Sequence, residues 1–396
     1  MNKNGSAMRT TKGVFAGITT GLVLVLVLGL DFVACKLTHL VRSTTTGSGR
    51  VRDPVFHHGL RKDFAWNDSF GPVRFQEISN SLGLRDGERR AISPVGDRPR
   101  ILLIGDSFTE GVGVPWEETF AGRLQAALKP KGVEVLNAGV ASYAPILERI
   151  KVRHLVEQEG LRFDRLVLFL DLSDLKDELF YEEDDLGRAR PIPYGPFASR
   201  AGWGLWVERF SDFSETRIEP NFILLGALAR NLKIPLRLMT RKELGAQGLF
   251  TGLPDFVRDY ELENSPLQGI TERGMDQCGE SLTRLENYLR TRNIPMTLVI
   301  YRWPQYRMPA TGESRYEEHW RKWAAEHGVD FIDLFHLFDG REPIVQWHLA
   351  GDDHWNGRGH EEVAKALLAR WPEIAPRPKA GLPPAARPAS GSGGKK

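Results

Sequence analysis

Two short blocks hold the residues best suited to chemistry. The first is Gly105-Asp106-Ser107, which ends the apolar run Ile101 to Ile104; the second is Asp352-Asp353-His354 near the carboxyl end. A serine hydroxyl attacks at neutral pH only when a base takes its proton. Histidine is the natural base, with a pKa near neutrality. A carboxylate on its other ring nitrogen fixes the tautomer and stabilises the imidazolium. Asp352 lies two residues before His354, and Asp353 is adjacent to it. In an extended loop, side chains two apart point the same way, so Asp352 is the expected acid. Gly-Asp-Ser also suits a plain strand-to-helix turn in which Ser107 only caps the helix. A metal site built from Asp352, Asp353, His354 and His360 matches no zinc spacing and leaves Ser107 without a role. No metal and no cofactor is expected.

The blocks resemble those of the SGNH (GDSL-type) hydrolases. Gly105 to Gly111 matches the nucleophile pattern Gly-Asp-Ser-x-x-x-Gly in full, and Trp355-Asn356 with Gly359-His360 follows His354 as in that family. The late block departs in one respect: the family's acid stands three residues before the histidine, where this chain has Gly351. The resemblance implies an oxyanion hole made by the N–H of Ser107, the N–H of Gly139 and a side chain at position 173. An asparagine fills that last place in the family, in Gly-x-Asn-Asp. Here the block reads Asp171-Leu172-Ser173-Asp174. The Ser173 hydroxyl can still donate, over a shorter reach.

The elements that must carry these residues follow from periodicity. Ile101 to Ile104, Val133 to Leu136, Leu166 to Leu170, Met296 to Tyr301 and Val329 to Leu334 are short apolar runs suited to strands buried on both faces. Helical patterns separate them: Phe120, Leu124, Ala127 and Leu128 fall on one face. Strand and helix in alternation predict an α/β fold with a parallel sheet covered on both sides. The family resemblance specifies a three-layer, flavodoxin-like sandwich, which places ligands at the carboxyl ends of the strands.

Residues 179–266 break the pattern and read as a helical insertion or lid. It opens with Glu182-Glu183-Asp184-Asp185, expected as a solvated turn and not a metal site. Trp203, Trp206, Phe210 and Phe213 follow, then an amphipathic run from Phe222 to Leu232 and basic residues Arg230, Lys233, Arg237, Arg241 and Lys242. Residues 51–98 show no clean period and read as a strap on the sheet. Asn80 to Asp86 resembles a stretch that precedes the serine block in membrane-anchored family members.

The chain has 396 residues, 41% hydrophobic and 26% charged, with a net charge of +2. That is a globular composition with no electrostatic case for nucleic acid. Gly13 to Leu30 carries no charge, and as a helix of roughly 27 Å it can span hydrocarbon. Phe32-Val33-Ala34-Cys35 is a poor match to a lipoprotein cleavage box, so an uncleaved anchor is expected. Positive charges flank the span on both sides and do not orient it. The family resemblance places the large domain outside the cytoplasm. The expected organisation is a tail over 1–12, an anchor over 13–35, a linker and strap over 36–98, a hydrolase-like domain over 99–372 and a disordered tail over 373–396. By resemblance the substrate is an acylated carbohydrate or a small ester, most specifically O-acetyl on a polysaccharide outside the cytoplasm. Transfer of the acyl group to a sugar hydroxyl uses the same residues. A non-catalytic carbohydrate-binding scaffold is the third alternative, suggested by the altered third block.

Overall fold

The computed structural model describes residues 18–36, 49–70, 73–192, 206–207, 210, 213–218, 221–229, 231–232, 236, 268–306, 308–309, 312, 314–341 and 343–376. Trp203, Arg230, Lys233, Arg237, Arg241 and Lys242, and most of the linker, insertion and tail, lie outside the described residues. Helix α1 (Ile18–Lys36), with a mean hydropathy of 2.3, is long and apolar enough to cross a membrane.

The strap is built from hairpins. β1 (Arg50–Asp53) pairs antiparallel with β2 (His57–Leu60), and β3 (Phe64–Phe70) with β4 (Val73–Ser79). β4 does alternate: Phe75, Glu77 and Ser79 point inward. The period is hidden in the sequence because two of the three inward residues are polar.

The core is a five-stranded parallel sheet. Its strands are β5 (Arg100–Ile104), β6 (Glu134–Asn137), β7 (Arg165–Leu170) and, beyond the small hairpin of β8 (Tyr181–Glu183) and β9 (Ala189–Pro191), β10 (Met296–Ile300) and β11 (Asp330–Asp333). The order across the sheet is β11-β10-β7-β5-β6, all parallel. Counting only these five in chain order gives 2-1-3-4-5, the flavodoxin-like arrangement, whose direction reverses between the first and third strands. β5, β7 and β10 are buried at every residue, as uninterrupted apolar runs require.

Helices cover the sheet. α2 (Ser107–Glu110) follows β5, and α3 (Phe120–Leu128) packs with the late helix α8 (Gly357–Ala369). α4 (Pro145–Glu157) and α5 (Leu172–Asp177) pack against the long α6 (Gln268–Arg290), and α7 (Arg315–His327) lies on β11. α9 (Trp371–Ile374) carries ordered chain just past residue 372. The acidic stretch after residue 181 is in part the expected solvated turn, with Glu182 and Asp185 exposed and Asp185 in the turn of the hairpin, while its other two carboxylates are paired. Glu183 holds Arg149 and Arg153 at 2.8 and 2.9 Å, and Asp184 accepts from Arg188 and Arg190 inside the β8–β9 hairpin.

Candidate active site

Ser107 sits at the carboxyl end of β5, beside the point where the strand order reverses. Asp106 caps α2, its Oδ1 accepting the Phe108 N–H at 2.9 Å, and Gly111 ends this single turn at φ 81°, a left-handed conformation that suits glycine. The short helix leaves the Ser107 hydroxyl at the rim of the sheet, half-buried.

The late block reaches the same place from the other end of the chain. Asn356 caps α8 through the N–H groups of Arg358 and Gly359, which fixes the loop before it. In that loop His354 Nε2 lies 2.7 Å from Ser107 Oγ, and its Nδ1 lies 2.5 Å from Asp352 Oδ1. Asp352 also accepts the His354 backbone N–H at 2.9 Å, closing a small ring that orients the imidazole. Phe108 stacks on the imidazole with ring centres 4.7 Å apart. Burial works against the Asp352 charge, but the His354 ring and backbone N–H outweigh it and hold the carboxyl below its usual value. Asp353 turns elsewhere and accepts a hydrogen bond from Gln305.

Two of the residues expected around the oxyanion, Gly139 and Ser173, have their backbone N–H groups engaged. The Gly139 N–H donates to Asn137 Oδ1 at 3.0 Å, and the Ser173 N–H to Asp171 Oδ1 at 2.6 Å. Among the described residues the Ser107 N–H has no hydrogen-bond acceptor. Position 139 does require glycine, because a Cβ there would come within 2.7 Å of the Glu110 nitrogen and 2.8 Å of the Thr109 carbonyl carbon. Asn137 ties this turn to the serine helix, its Nδ2 donating to the Thr109 carbonyl at 2.7 Å.

Several supporting residues carry no sequence signal of their own. Tyr301 donates to Asp106 Oδ1 at 2.9 Å and Trp303 to Asp171 Oδ2 at 2.6 Å, so the end of β10 steadies both carboxylates. Burial, reinforced by the neighbouring Asp171 charge, pushes Asp106 up to about 7. Arg85 on the strap is fully buried and donates to the carbonyls of Glu110 (2.6 Å), Gly111 and Val114 (2.5 Å). Arg50 forks onto Glu110 at 2.9 and 2.5 Å. The strap therefore grips the turn that presents Ser107.

No protein-family model matches the sequence, and no curated protein does. Solved structures to which the chain is similar include a catalytic mutant of an acetylxylan esterase from Geobacillus stearothermophilus (13% identity, 72% of this chain and 97% of that one, TM-score 0.39). Others are an α/β hydrolase enzyme from the metagenome of Lake Arreo, Spain (13%, 70% and 96%, 0.37) and a lipolytic protein of the G-D-S-L family from Veillonella parvula (13%, 69% and 99%, 0.35). Identities this low speak to fold alone, and the superpositions are loose. The reading of Ser107 rests on this chain's own geometry.

Proposed function

We propose that this protein is a serine esterase. The observation that carries the reading is the unbroken hydrogen-bonded line from Ser107 through His354 to Asp352. In this reading Ser107 Oγ attacks the ester carbonyl carbon as its proton passes to His354 Nε2. The tetrahedral intermediate collapses, the C–O bond to the alcohol breaks, and His354 returns the proton to the leaving oxygen. Water, deprotonated by the same nitrogen, then attacks the acyl-serine and releases the acid. The Ser107 N–H supports the oxyanion, and Gly139 joins it if its N–H leaves Asn137 as charge develops.

We assign the substrate as an acylated carbohydrate, with O-acetyl as the group removed, from the likeness of the sequence blocks to membrane-anchored SGNH hydrolases. α1 is assigned as a retained anchor holding the domain outside the cytoplasm. A sugar hydroxyl in place of water turns the same acyl-enzyme into an acetyltransferase intermediate. A binding scaffold without catalysis has no use for an aligned nucleophile and base.

The test is turnover of p-nitrophenyl acetate by the full chain, with and without an oligosaccharide acceptor, alongside labelling by an alkyl fluorophosphonate. Ser107 should take the label, and Ser107→Ala should lower kcat by about 10⁴–10⁶ while leaving folding intact. Near-wild-type rates in that variant would refute the mechanism. Acceptor-dependent loss of free acetate would move the assignment from hydrolysis to transfer.

A further inference from the structure

The insertion meets α1 at its end. Asp31, on the penultimate turn of α1, is buried, and its carboxylate accepts the N–H groups of Ile223, Leu224 and Leu225 at 3.0, 2.9 and 3.1 Å. It thereby satisfies the first donors of a second helix, formed by residues 224–229 and 231–232. Phe32 packs on Phe222 with ring centres 5.8 Å apart, and Lys36 donates to Asn221 at 2.7 Å.

Apart from the exposed Asn231, the described residues of this second helix are apolar on both sides. Gly226 and Ala229 are buried, while Leu224, Leu228 and Leu232, spaced four apart on one face, are 67, 56 and 50% exposed. A surface helix in water presents a polar outer face. This one presents a leucine stripe, and it starts beside Asp31, immediately after the uncharged span of α1.

We propose that this second helix lies in the membrane interface beside α1, with Leu224, Leu228 and Leu232 immersed in the headgroup–acyl boundary. The occupant of the leucine face is lipid, because the helix that carries it starts against the end of α1, the one helix among the described residues that meets the criteria for spanning a bilayer. If Leu30 ends the hydrocarbon segment, Asp31 sits at headgroup depth, and a helix starting there reaches the boundary at once. Lying in the plane removes the stripe from water, as interfacial helices do. The Asp31 cap fixes the helix to the anchor and sets its depth. Through this second contact the insertion would restrict how the enzyme domain tilts over the membrane. The proposal rests on α1 being a retained anchor.

The experiment uses the full chain in nanodiscs of phosphatidylethanolamine and phosphatidylglycerol, with Cys35→Ala and Cys278→Ala as background. Spin labels are placed one at a time at Leu228→Cys and Leu232→Cys. Leu24→Cys in α1 and Glu361→Cys on the outer side of α8 serve as references, and fluorophosphonate labelling of Ser107 verifies that each variant is folded. Collision with oxygen and with a water-soluble nickel chelate reports depth. The labels at 228 and 232 should lie about 5–10 Å below the phosphates, with Leu24→Cys deeper and Glu361→Cys in water. A deep Leu24→Cys label with 228 and 232 open to nickel overturns this proposal and leaves the anchor standing. Labels at 228 and 232 shielded from both reagents show that protein covers the face, a second copy included, and also overturn it. A Leu24→Cys label in water brings down the anchor and the proposal together.

Discussion

The Ser173 backbone N–H is held by the Asp171 carboxylate at 2.6 Å, and Asp171 is held in turn by the Trp303 indole N–H at 2.6 Å. A serine whose N–H is bonded to this buried carboxylate belongs to the cap of the helix start. Burial raises the Asp171 pKa, and the Ser173 and Trp303 hydrogen bonds oppose that rise. Ser173→Ala should therefore cost about 1 kcal/mol of stability, the worth of one hydrogen bond at a helix start. Its kcat should stay within about threefold of wild type, since a removed oxyanion donor costs roughly 10²–10³. Steady-state kinetics and melting of this variant decide the matter, and a loss of the larger size in kcat alone would return Ser173 to the oxyanion hole.

Asp352 and Asp353 have different partners, and their variants should separate cleanly. Asp352→Asn keeps the shape of the His354 contact but offers an amide to Nδ1, favouring the wrong tautomer and costing about 10⁴ in kcat. Asp353 contacts Gln305 and not the imidazole, so Asp353→Asn should change kcat by less than about threefold. The reverse ranking would transfer the acid's role to Asp353.

Arg85 is the strap's main hold on the nucleophile turn. Its guanidinium serves three carbonyls around residues 110–114 and lies 3.6 Å from the buried Glu77. Arg85→Ala leaves those acceptors dry and Glu77 beside Glu110 with Arg50 as its remaining counter-charge. Loss of one partner from such a buried group costs about 3–5 kcal/mol, or roughly 10 °C in Tm at about 2–4 °C per kcal/mol. Arg85→Lys keeps the charge but not the fork and should recover only part of this. A thermal shift below a few degrees for Arg85→Ala would show that the strap is not what braces the turn.

The sheet and the serine–histidine pair were legible because their signals are local. A wholly apolar run followed by Gly-Asp-Ser states both the strand and its end, and the two-residue offset from Asp352 to His354 selects one face of a loop. Arg50, Arg85, Glu110, Tyr301 and Trp303 had no such signal. Each acts through contacts with residues distant in the sequence, and a lone buried arginine in a sequence looks like any surface arginine. Matching Gly139 and Ser173 to family positions says where they stand; that their backbone N–H groups meet Asn137 and Asp171 is a contact only the fold supplies.

The buried carboxylates predict how stability responds to pH. Burial, with the Asp171 charge, pushes Asp106 up to about 7; burial first of all takes Glu178 to about 7 and Glu77 to about 8, and raises Glu148 and Asp174 well above the carboxylate range. Each binds its proton more tightly folded than unfolded. Their contribution is fully present below the unfolded values near 4 and is lost as pH rises through the folded ones. His58, His319 and His360, whose pKa values burial lowers, act in the opposite sense below about pH 6.5 but are fewer. Lys151, pushed down to about 7 by burial, adds stability only as pH rises above 7. Between pH 5.5 and 7.5 the carboxylates outweigh these, and Tm should be higher at 5.5. Asp106 alone accounts for about 2 kcal/mol across that interval, or roughly 4–8 °C. Asp106→Asn mimics the protonated form and keeps an acceptor for Phe108 and Tyr301, so it should raise Tm at pH 7.5 and narrow the difference. Melting curves of both proteins at the two pH values test this. A wild-type Tm that rises from 5.5 to 7.5, or an Asp106→Asn difference equal to wild type, would mean that Asp106 stays ionised in the fold.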